Sequence, residues 1–535
     1  MGMSVAAALR AAGEAAAERP AVVHGDRVRS HAELHERASR VASALADRGV
    51  RPGNVVAVAL YNSPEYLETV LAAFLLGAVP VNINYRYREP ELRYVLEYTE
   101  AVALVHDESL AERVGNIADA LPRLTAVLQV GESYDDVARN GPALSGPDQD
   151  GTHGIILLTG GTTGRPKGVI WDRDGLLGIL CSVFRQHGLT VPTTPDEVSA
   201  AVGALAERDG TPVVLPMSPL MHGTGFFHAM RTLLGGGTVC FCTSRSLDGH
   251  EVWRAVQEHR ITEMVIVGDA FGRPLLAALA EAETPYDISS LKKITSSGVI
   301  WSVDVKRRLL AAGAMTLVDN ISASEGGPFG VAEASEEADL ADGRFALAPV
   351  ARVLDDQDRD VLPGSGQVGV LASAGPQPVG YLHDPERTAR TWRVIDGVRY
   401  AVPGDLASLD ADGKLVLLGR GDGVINTGGE KVFPEEVEQA LLAHPAVTDA
   451  VVFGTPDPRW GQTVTAMVAP AEALLGFSDE ELTVHLGERL ARYKHPRRLV
   501  RADTIPRTPA GKLNRALARE LATRKLATRK EENAT

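Results

Sequence analysis

One stretch of this 535-residue chain has the composition of a loop that binds phosphate. Residues 159–168 read TGGTTGRPKG and directly follow the apolar run 155–158, which is typical of a buried strand. Glycines let backbone N–H groups turn toward an anion, threonine hydroxyls add donors, and Lys167 and Arg165 add positive charge. The loop is not a Walker loop, because its lysine precedes Gly168 instead of Ser or Thr. Clusters of Gly, Thr and Pro are also typical of solvated turns, so the loop alone leaves both interpretations open.

Three further segments follow this loop in the chain: SASEG at 322–326, YAVPGD at 400–405 and TPAGKL at 508–513. In this order the four segments resemble the adenylate-forming enzymes, the superfamily of acyl-CoA synthetases, firefly-type luciferases and peptide-synthetase adenylation domains. The resemblance covers nearly the whole chain. It implies an α/β fold, with a large N-terminal domain of doubly wound sheets plus a small β-barrel-like subdomain, followed by a small mobile α+β domain.

The resemblance implies an ATP site on the large domain, with catalytic roles for Thr162 and Lys167 in the phosphate loop. Glu325 matches the glutamate that holds Mg²⁺, and Asp405 matches the aspartate that accepts hydrogen bonds from both ribose hydroxyls. Arg420, fifteen residues after Asp405, matches the arginine that contacts the ribose and phosphate. Taken singly, such carboxylates are more often surface or turn residues. The other residues placed against the nucleotide are Thr159, Gly160, Gly161, Thr163, Gly164, Gly298, Ser322 and Ser324.

Lys512 matches the mobile lysine that bridges the attacking carboxylate and the α-phosphate, offsetting charge that develops in the transition state. Asp422 occupies the place of the hinge about which the small domain rotates after adenylation. The rotation brings a second face to the acyl-adenylate, where glycines let the pantetheine arm of coenzyme A pass close to the backbone. The residues on that face are Gly428, Gly429 and Lys431. A basic cluster either binds the CoA phosphates or is a solvated surface: Arg492, Lys494, Arg497 and Arg498.

His222, in PLMHGTG, matches the catalytic gate beside the acyl site, although a lone histidine is more often structural. The small residues next to His222 predict a wide apolar pocket. Its other predicted members are Gly268, Ala270, Phe271 and Gly298. No Asp or Glu occurs between 210 and 247, where amino-acid-activating relatives place a carboxylate for the substrate ammonium, so we expect a different acid. The segment 265–274, VIVGDAFGRP, resembles actinobacterial synthetases for steroid side-chain or long-chain acids. It implies a bulky steroid or terpenoid acid, in lipid or terpenoid metabolism or natural product biosynthesis.

The pattern departs from the family on the nucleotide side. Ile321 and Ser322 stand where an aromatic residue and Gly are usual, and Val299 and Ile300 replace a small residue beside the adenine. Losing one stacking face costs roughly 1–3 kcal/mol. The default is therefore a two-step ligase, and its rival is an enzyme that joins CoA to an acyl-adenylate supplied by a separate adenylating enzyme. An enzyme that loads a carrier protein and a non-catalytic ligand-binding relative are two further hypotheses.

The elements that must position these residues are predicted from hydrophobic periodicity. Strands at 55–60 and 78–83 flank a helix at 65–76, which is the alternation of parallel sheets with covering helices. Short strands at 345–381 predict an antiparallel section, and Pro434 begins a helix of the small domain. The glycines of GRGDG at 419–423 predict a boundary, with domains at 1–420 and 421–535.

Composition excludes several classes of protein. A net charge of -15 argues against a nucleic-acid partner. Gly77 and Pro80 break the longest apolar stretch, which falls short of the ~20 residues of a membrane span. Three cysteines are too few for a disulfide framework. We expect a cytoplasmic enzyme that binds a small carboxylic acid and CoA, with a homodimer left open.

Overall fold

The computed structural model describes residues 2–145, 153–159, 166–208, 210–298, 301–340, 343–420, 423–427, 430–457, 461–470, 478–490, 492–507 and 513–532. In its first part, strands and helices alternate as the periodicity predicts. The elements up to residue 207 are α1 (Val5–Ala15), β1 (Pro20–His24), β2 (Arg27–Ser30), α2 (His31–Asp47), β3 (Val55–Ala59), α3 (Pro64–Leu75), β4 (Val79–Asn82), α4 (Glu89–Tyr98), β5 (Ala101–His106), α5 (Ala111–Ala118), β6 (Ala126–Gln129), α6 (Glu132–Asn140), β7 (His153–Thr159), β8 (Lys167–Asp172), α7 (Arg173–Leu180), α8 (Ser182–Gln186) and α9 (Pro195–Glu207).

The middle of the chain continues the alternation and then changes to antiparallel strands. Its elements are β9 (Val213–Pro216), α10 (Gly223–Leu234), β10 (Thr238–Phe241), α11 (Gly249–Glu258), β11 (Glu263–Ile266), α12 (Gly268–Glu281), β12 (Lys293–Ser297), α13 (Val303–Ala312), β13 (Thr316–Ala323), β14 (Gly326–Ala334), β15 (Arg344–Leu347), β16 (Ala351–Leu354), β17 (Gly369–Ser373), β18 (Gly380–Tyr381), α14 (Pro385–Thr391), β19 (Trp392–Ile395), β20 (Val398–Ala401), β21 (Asp405–Leu409) and β22 (Leu415–Arg420).

The last part forms a separate small sheet with helices. Its elements are β23 (Ile425–Thr427), β24 (Glu430–Val432), α15 (Pro434–Leu442), β25 (Val447–Asp457), β26 (Gly461–Pro470), α16 (Asp479–Gly487), β27 (Arg498–Arg501) and α17 (Arg515–Glu532). Pro434 is the first residue of α15, where its missing N–H costs no hydrogen bond. The first turns of α17 pack against the small sheet, since Ala518 and Ala522 are fully buried.

Two large sheets carry the candidate site. The first has the strand order β18-β8-β7-β4-β3-β5-β6, and the five strands from β7 to β6 are parallel. The second runs in parallel through β1-β10-β9-β11-β12-β13 and then turns antiparallel at β14. The predicted antiparallel section is present, and β15 joins it to the second sheet by pairing with both β14 and β22. The third sheet contains β23 to β27 only.

Local signals set the ends of several elements. The Ser63 hydroxyl accepts a hydrogen bond from the Tyr66 N–H, and Pro64 follows at the first helical position, so α3 begins one residue before its predicted start. Strands β3, β4 and β11 are almost wholly buried, as strands covered by helices on both faces must be. No helix of the described residues combines the length and apolar character needed to cross a membrane.

The start of α10 packs closely against the preceding loop at Gly225. A Cβ added at Gly225 would lie 2.7 Å from the Pro219 carbonyl oxygen and closer still to that of Ser218. Gly225→Ala should therefore push α10 away from this loop and lower the free energy of unfolding by about 1–3 kcal/mol. Gly203→Ala is the control, because Gly203 is exposed on α9 with open space around its Cβ position. Urea denaturation that shows equal stability for the two variants would contradict this packing.

Candidate active site

A cleft of about 2280 Å³ lies beside the carboxyl ends of the parallel strands and is lined by residues from before and after position 420. Ligand sites of open α/β sheets occur at this edge, where loops from several strands converge. The predicted site residues that line the cleft are Thr159, Lys167, His222, Gly298, Ser322, Ser324, Glu325 and Asp405. Residues far apart in the sequence therefore meet at one place.

The phosphate loop connects the antiparallel strands β7 and β8. Thr159 and Lys167 are paired across this hairpin, so both ends of the loop are fixed by the sheet. The Leu158 N–H donates to the Asn82 side-chain oxygen at 2.8 Å, and the amide of Asn82 donates to the Met221 carbonyl. The residues within the loop, Gly160, Gly161, Thr162, Thr163 and Gly164, lie outside the described residues.

Glu325 is held in the turn between β13 and β14. The Tyr381 hydroxyl donates to its carboxylate at 2.7 Å, and the indole N–H of Trp392 donates to its backbone carbonyl at 3.0 Å. The Tyr381 and Trp392 rings pack edge to face with centroids 4.9 Å apart. Because Tyr381 pairs with Val169 of β8, the carboxylate is tied to the strand that begins at Lys167. No pattern in the sequence indicates this role of Tyr381 or Trp392, which comes from pairing between distant strands.

Glu325 by itself supplies only one protein ligand to a metal ion. Among the described residues, no group of three or more His, Cys, Asp or Glu side chains is placed to hold a metal ion. Mg²⁺ is usually bound by one or two carboxylates together with substrate phosphates and water. The Glu325 carboxylate, in the same cleft as Lys167, fits a metal of that kind.

The nucleotide side of the cleft contains the ends of β12 and β13. The hydroxyls of Ser297 and Ser322 are 3.1 Å apart, and Gly298 has a φ of +92°, which favours glycine. Ile321 lines the cleft and also packs against the core that contains Phe329. Val299 and Ile300 lie outside the described residues.

Asp405 and Arg420 are directly opposite each other on β21 and β22. The fifteen positions that separate Asp405 from Arg420 in the sequence therefore correspond to two antiparallel strands and the hairpin that joins them. The backbone of Arg420 is described, whereas its side chain is not. Asp405 lines the cleft, as a residue that binds a ribose must.

The loop that carries Lys512 begins and ends at the cleft. Arg507 and Leu513 pair across its base, and both line the cavity. Arg507 is anchored by Asp449 at 2.8 Å, and Arg515 by the buried Glu438 at 2.8 Å. Lys512 itself lies outside the described residues, as do Asp422, Gly428 and Gly429, and the side chain of Lys431 is not described.

Two cations of the basic cluster that was predicted to bind CoA are paired with acidic residues of the small domain. Lys494 is 2.5 Å from Glu436, and Arg498 lies 3.3 Å from Asp457. Arg498 also donates to the Thr455 hydroxyl at 2.8 Å. These two cations have intradomain partners, so they contribute to the packing of the small sheet.

His222 is the N-cap of α10 and lines the same cavity. We define the acyl channel as the part of the cavity between α10 and the β8–α7–α8 segment. From α10 it is lined by a helical stripe of Thr224, Phe227, His228 and Arg231, and from the other side by Trp171, Gly178, Ile179, Ser182, Arg185 and Gln186. Trp171 and Phe227 pack edge to face at 5.2 Å, so the first part of the channel is apolar.

Two predicted pocket residues do not line the cavity. Phe271 packs against the core around Trp253, and the Gly268 N–H donates to the Ser296 hydroxyl at 2.9 Å. Helix phase explains the error, since Ala270 and Arg273 of α12 face the cavity while Phe271 points to the core. Ala270 and Gly298 line it as predicted.

A buried ion pair supports the strand that carries Ser322. The Lys306 ammonium is 2.7 Å from the Asp319 carboxylate and 5.3 Å from the centre of the Trp301 ring. Burial raises the pKa of Asp319 above its usual value, and the charge of Lys306 opposes that shift. Both residues line the cleft, so the pair is part of its wall.

Comparison with known proteins agrees with this arrangement. A family model for AMP-binding enzymes matches residues 9–381, and one for the C-terminal domain of AMP-binding enzymes matches residues 436–512. The chain is 36% identical over 531 residues to the 3-oxocholest-4-en-26-oate–CoA ligase of Rhodococcus rhodochrous, covering 96% of this chain and 94% of that protein. It is 38% identical over 523 residues to the medium/long-chain-fatty-acid–CoA/3-oxocholest-4-en-26-oate–CoA ligase of Mycobacterium tuberculosis (strain ATCC 25618 / H37Rv), covering 95% and 94%. The crystal structure of the anthranilate CoA ligase AuaEII in complex with anthranoyl-AMP shares the fold, with a TM-score of 0.82 at 22% identity and 98% coverage of both chains.

The Lys306–Asp319 pair makes a prediction about stability and pH. Lys306→Met leaves a buried carboxylate without its cation, which should cost about 3–5 kcal/mol at pH 8. The pKa of Asp319 in the folded state then lies further above its unfolded value, so protonation stabilises the variant and the cost shrinks as the pH falls. Urea denaturation at pH 8 and pH 5 measures this. The double variant Lys306→Met/Asp319→Leu should regain most of the loss, and a double variant as unstable as the single one would contradict the assignment.

Proposed function

Since this chain belongs to the AMP-binding enzymes, we propose that it is an acyl-CoA ligase that works in two steps. In the first step a carboxylate oxygen attacks the α-phosphorus of ATP, the bond to the β-phosphate oxygen breaks, and pyrophosphate leaves. In the second step the CoA thiol, giving up its proton, attacks the acyl carbon, and AMP leaves. The observation that carries the proposal is the convergence of Lys167, Glu325, Asp405 and both ends of the Lys512 loop on one cleft.

Each charged residue has a role in the first step. Lys167 and the phosphate loop bind the phosphates, Asp405 and Arg420 bind the ribose, and Lys512 offsets the charge that develops at the α-phosphate. We assign Glu325 to Mg²⁺, which supplies further positive charge to the phosphates when bound. The Tyr381 hydroxyl orients the carboxylate and leaves its other oxygen for the metal.

The second step requires that the Lys512 loop move away from the acyl-adenylate. We place the hinge at Asp422 and the domain division at 420/421, where β22 of the large sheet system ends. Rotation would bring the segment of Gly428, Gly429 and Lys431 to the cleft for the pantetheine arm. A cytoplasmic location and a homodimer belong to the same proposal.

The substrate class follows from the acyl channel and the relatives. The channel has Trp171, Gly178, Ile179 and Phe227 in its walls, which suits a large apolar acid. The relative from Rhodococcus is named as a ligase of 3-oxocholest-4-en-26-oate, and the relative from Mycobacterium is named as a ligase of that acid and of medium- and long-chain fatty acids. We therefore propose a bulky apolar carboxylic acid, of the steroid or long-chain type, as the substrate.

The rival function, thioesterification of a supplied acyl-adenylate, is favoured by one observation. Ile321 lines the cleft at the position where an aromatic residue would stack on adenine. A weaker adenine site lowers the affinity for ATP more than it lowers the rate at which a preformed adenylate is transferred to CoA. The two functions differ only in the first half-reaction.

Incubation of the acid, ATP and Mg²⁺ without CoA separates these functions. We expect acyl-adenylate and pyrophosphate to form in stoichiometric amounts, detected by mass spectrometry and a coupled pyrophosphate assay. Asp405→Ala should lower kcat/KM for ATP by roughly 10- to 100-fold, because the ribose loses its acceptor. Failure to form adenylate, together with turnover of synthetic acyl-adenylate plus CoA, would overturn the two-step proposal.

Removing the hydroxyl of Tyr381 tests the assignment of Glu325. Tyr381→Phe keeps the packing on Trp392 but frees the carboxylate, so the half-saturating Mg²⁺ concentration should rise roughly 10- to 100-fold. Tyr134→Phe is the matched control, since the buried Tyr134 hydroxyl donates to the Glu65 carbonyl at 3.4 Å and Tyr134 does not line the cleft. Mg²⁺ titrations of adenylate formation measure both variants. An identical Mg²⁺ dependence in the two variants would refute the role of Tyr381.

A further inference from the structure

Part of the acyl channel has a polar wall that the proposed function leaves unexplained. Thr224, Phe227, His228 and Arg231 follow one stripe of α10, and all line the channel. His222 lies at the start of this helix, and Arg231 lies nine residues later, which is roughly 13 Å along the axis at about 1.5 Å per residue. An extended acid whose carboxylate is near His222 therefore reaches Arg231 with its far end.

The far wall carries an excess of positive charge. The guanidinium of Arg231 is 2.7 Å from one oxygen of the buried Glu263, and the Lys293 ammonium is 3.0 Å from the other. Burial opposes ionisation of Glu263, but these two cations hold its pKa low, at about 2. The carboxylate is thus ionised, and two positive charges face one negative charge.

His228 adds no charge to this cluster. Burial, aided by the charge of Arg231, lowers the pKa of His228 to about 3, so the ring is neutral near pH 7. Its Nδ1 donates to the Thr224 carbonyl at 2.8 Å, because a carbonyl can only accept. The other ring nitrogen is therefore an acceptor, and the net charge of the cluster remains +1.

Hydrogen-bond donors at this wall exceed their partners. Arg231 has five N–H donors, and in the described part of the chain its one hydrogen bond is to Glu263. A purely apolar acid leaves these donors to water or to nothing, whereas an oxygen atom on the acid would accept from them.

We infer that the far end of the acyl channel is a subsite for an oxygen function, an oxo group or a second carboxylate, roughly 13 Å from the carboxyl group that is activated. The inference rests on the proposed ligase function, and it adds a second recognition point to the substrate. An ammonium group is excluded there, because it would meet the net positive charge of Arg231, Lys293 and Glu263. Arg185 and Gln186 are exposed at the same end, so water reaches it and a plain acid is disfavoured but not rejected.

Series of acids that differ in chain length and in their distal group, together with variants at Arg231 and Lys293, test the subsite. Three series of equal chain lengths are compared: plain monocarboxylic acids, acids with a distal oxo group, and α,ω-dicarboxylic acids. For wild type we expect kcat/KM to favour the oxygenated acid of matching length by roughly 10-fold, mainly through KM. A preference for the dicarboxylic acid over the oxo acid would identify the ligand as an anion, and the reverse would identify a carbonyl.

Arg231→Met should bring this ratio close to 1, because the distal oxygen function loses its donor. Lys293→Met is the control, because Lys293 contacts Glu263 from the other side and is not among the residues that line the cavity. It removes the same charge from the cluster without altering the channel wall, so it should preserve most of the preference. Thermal unfolding of both variants checks that the fold is retained.

The same acids are also titrated calorimetrically against each protein, so that binding is read without turnover. A wild-type ratio near 1 at every length, or an equal loss of preference in Arg231→Met and Lys293→Met, would overturn the subsite. Preferential binding of oxygenated acids without formation of adenylate or thioester would support the subsite and refute the ligase function.

Discussion

The hydrogen bond from the Tyr381 hydroxyl to the Glu325 carboxylate fixes the geometry on which the cleft depends. Tyr381 belongs to the first sheet, because β18 pairs with β8, whereas Glu325 lies in a turn of the second sheet. The bond therefore sets the position of a metal-binding carboxylate relative to Lys167 at the end of the phosphate loop. Because buried residues of both sheets pack in one hydrophobic core, the separation of these groups is set by packing and needs no ligand to establish it.

Buried charges in the cleft wall serve two different purposes. Lys306 and Asp319 neutralise each other and hold β13 in place. The cluster of Arg231, Glu263 and Lys293 is not neutral, and its excess donors face the channel. Lys293 is 32% exposed and solvated, so the charge of the cluster that faces the cavity is that of Arg231, whose remaining donors can bind a ligand.

Many features of the fold and the cleft were predictable from the sequence. The alternation at 55–83 produced β3, α3 and β4 within one residue of the predicted ends, because their hydrophobic periods and caps are local signals. Comparison confirmed the predicted family and α/β fold. The assignment of Gly268 and Phe271 to the pocket was wrong, since a helix turns adjacent side chains toward different surroundings and the sequence does not reveal which of them faces the cavity. The sequence has no acidic residue between 210 and 247, but Glu263 of β11 contacts Arg231 of the channel wall from behind and is paired with Lys293 as well.

The sequence by itself determined the chemical groups and their order along the chain: a glycine-rich loop with Lys167, a glutamate after a strand, an aspartate before a hairpin, and a lysine near the end. These follow from residue type and short spacing, which local backbone preferences translate directly into turns and strand ends. Only the tertiary structure decided which groups meet, such as Tyr381 with Glu325 or Arg231 with Glu263. Such contacts depend on strand pairing and helix packing between segments 32 and 56 residues apart, and no local pattern encodes that alignment.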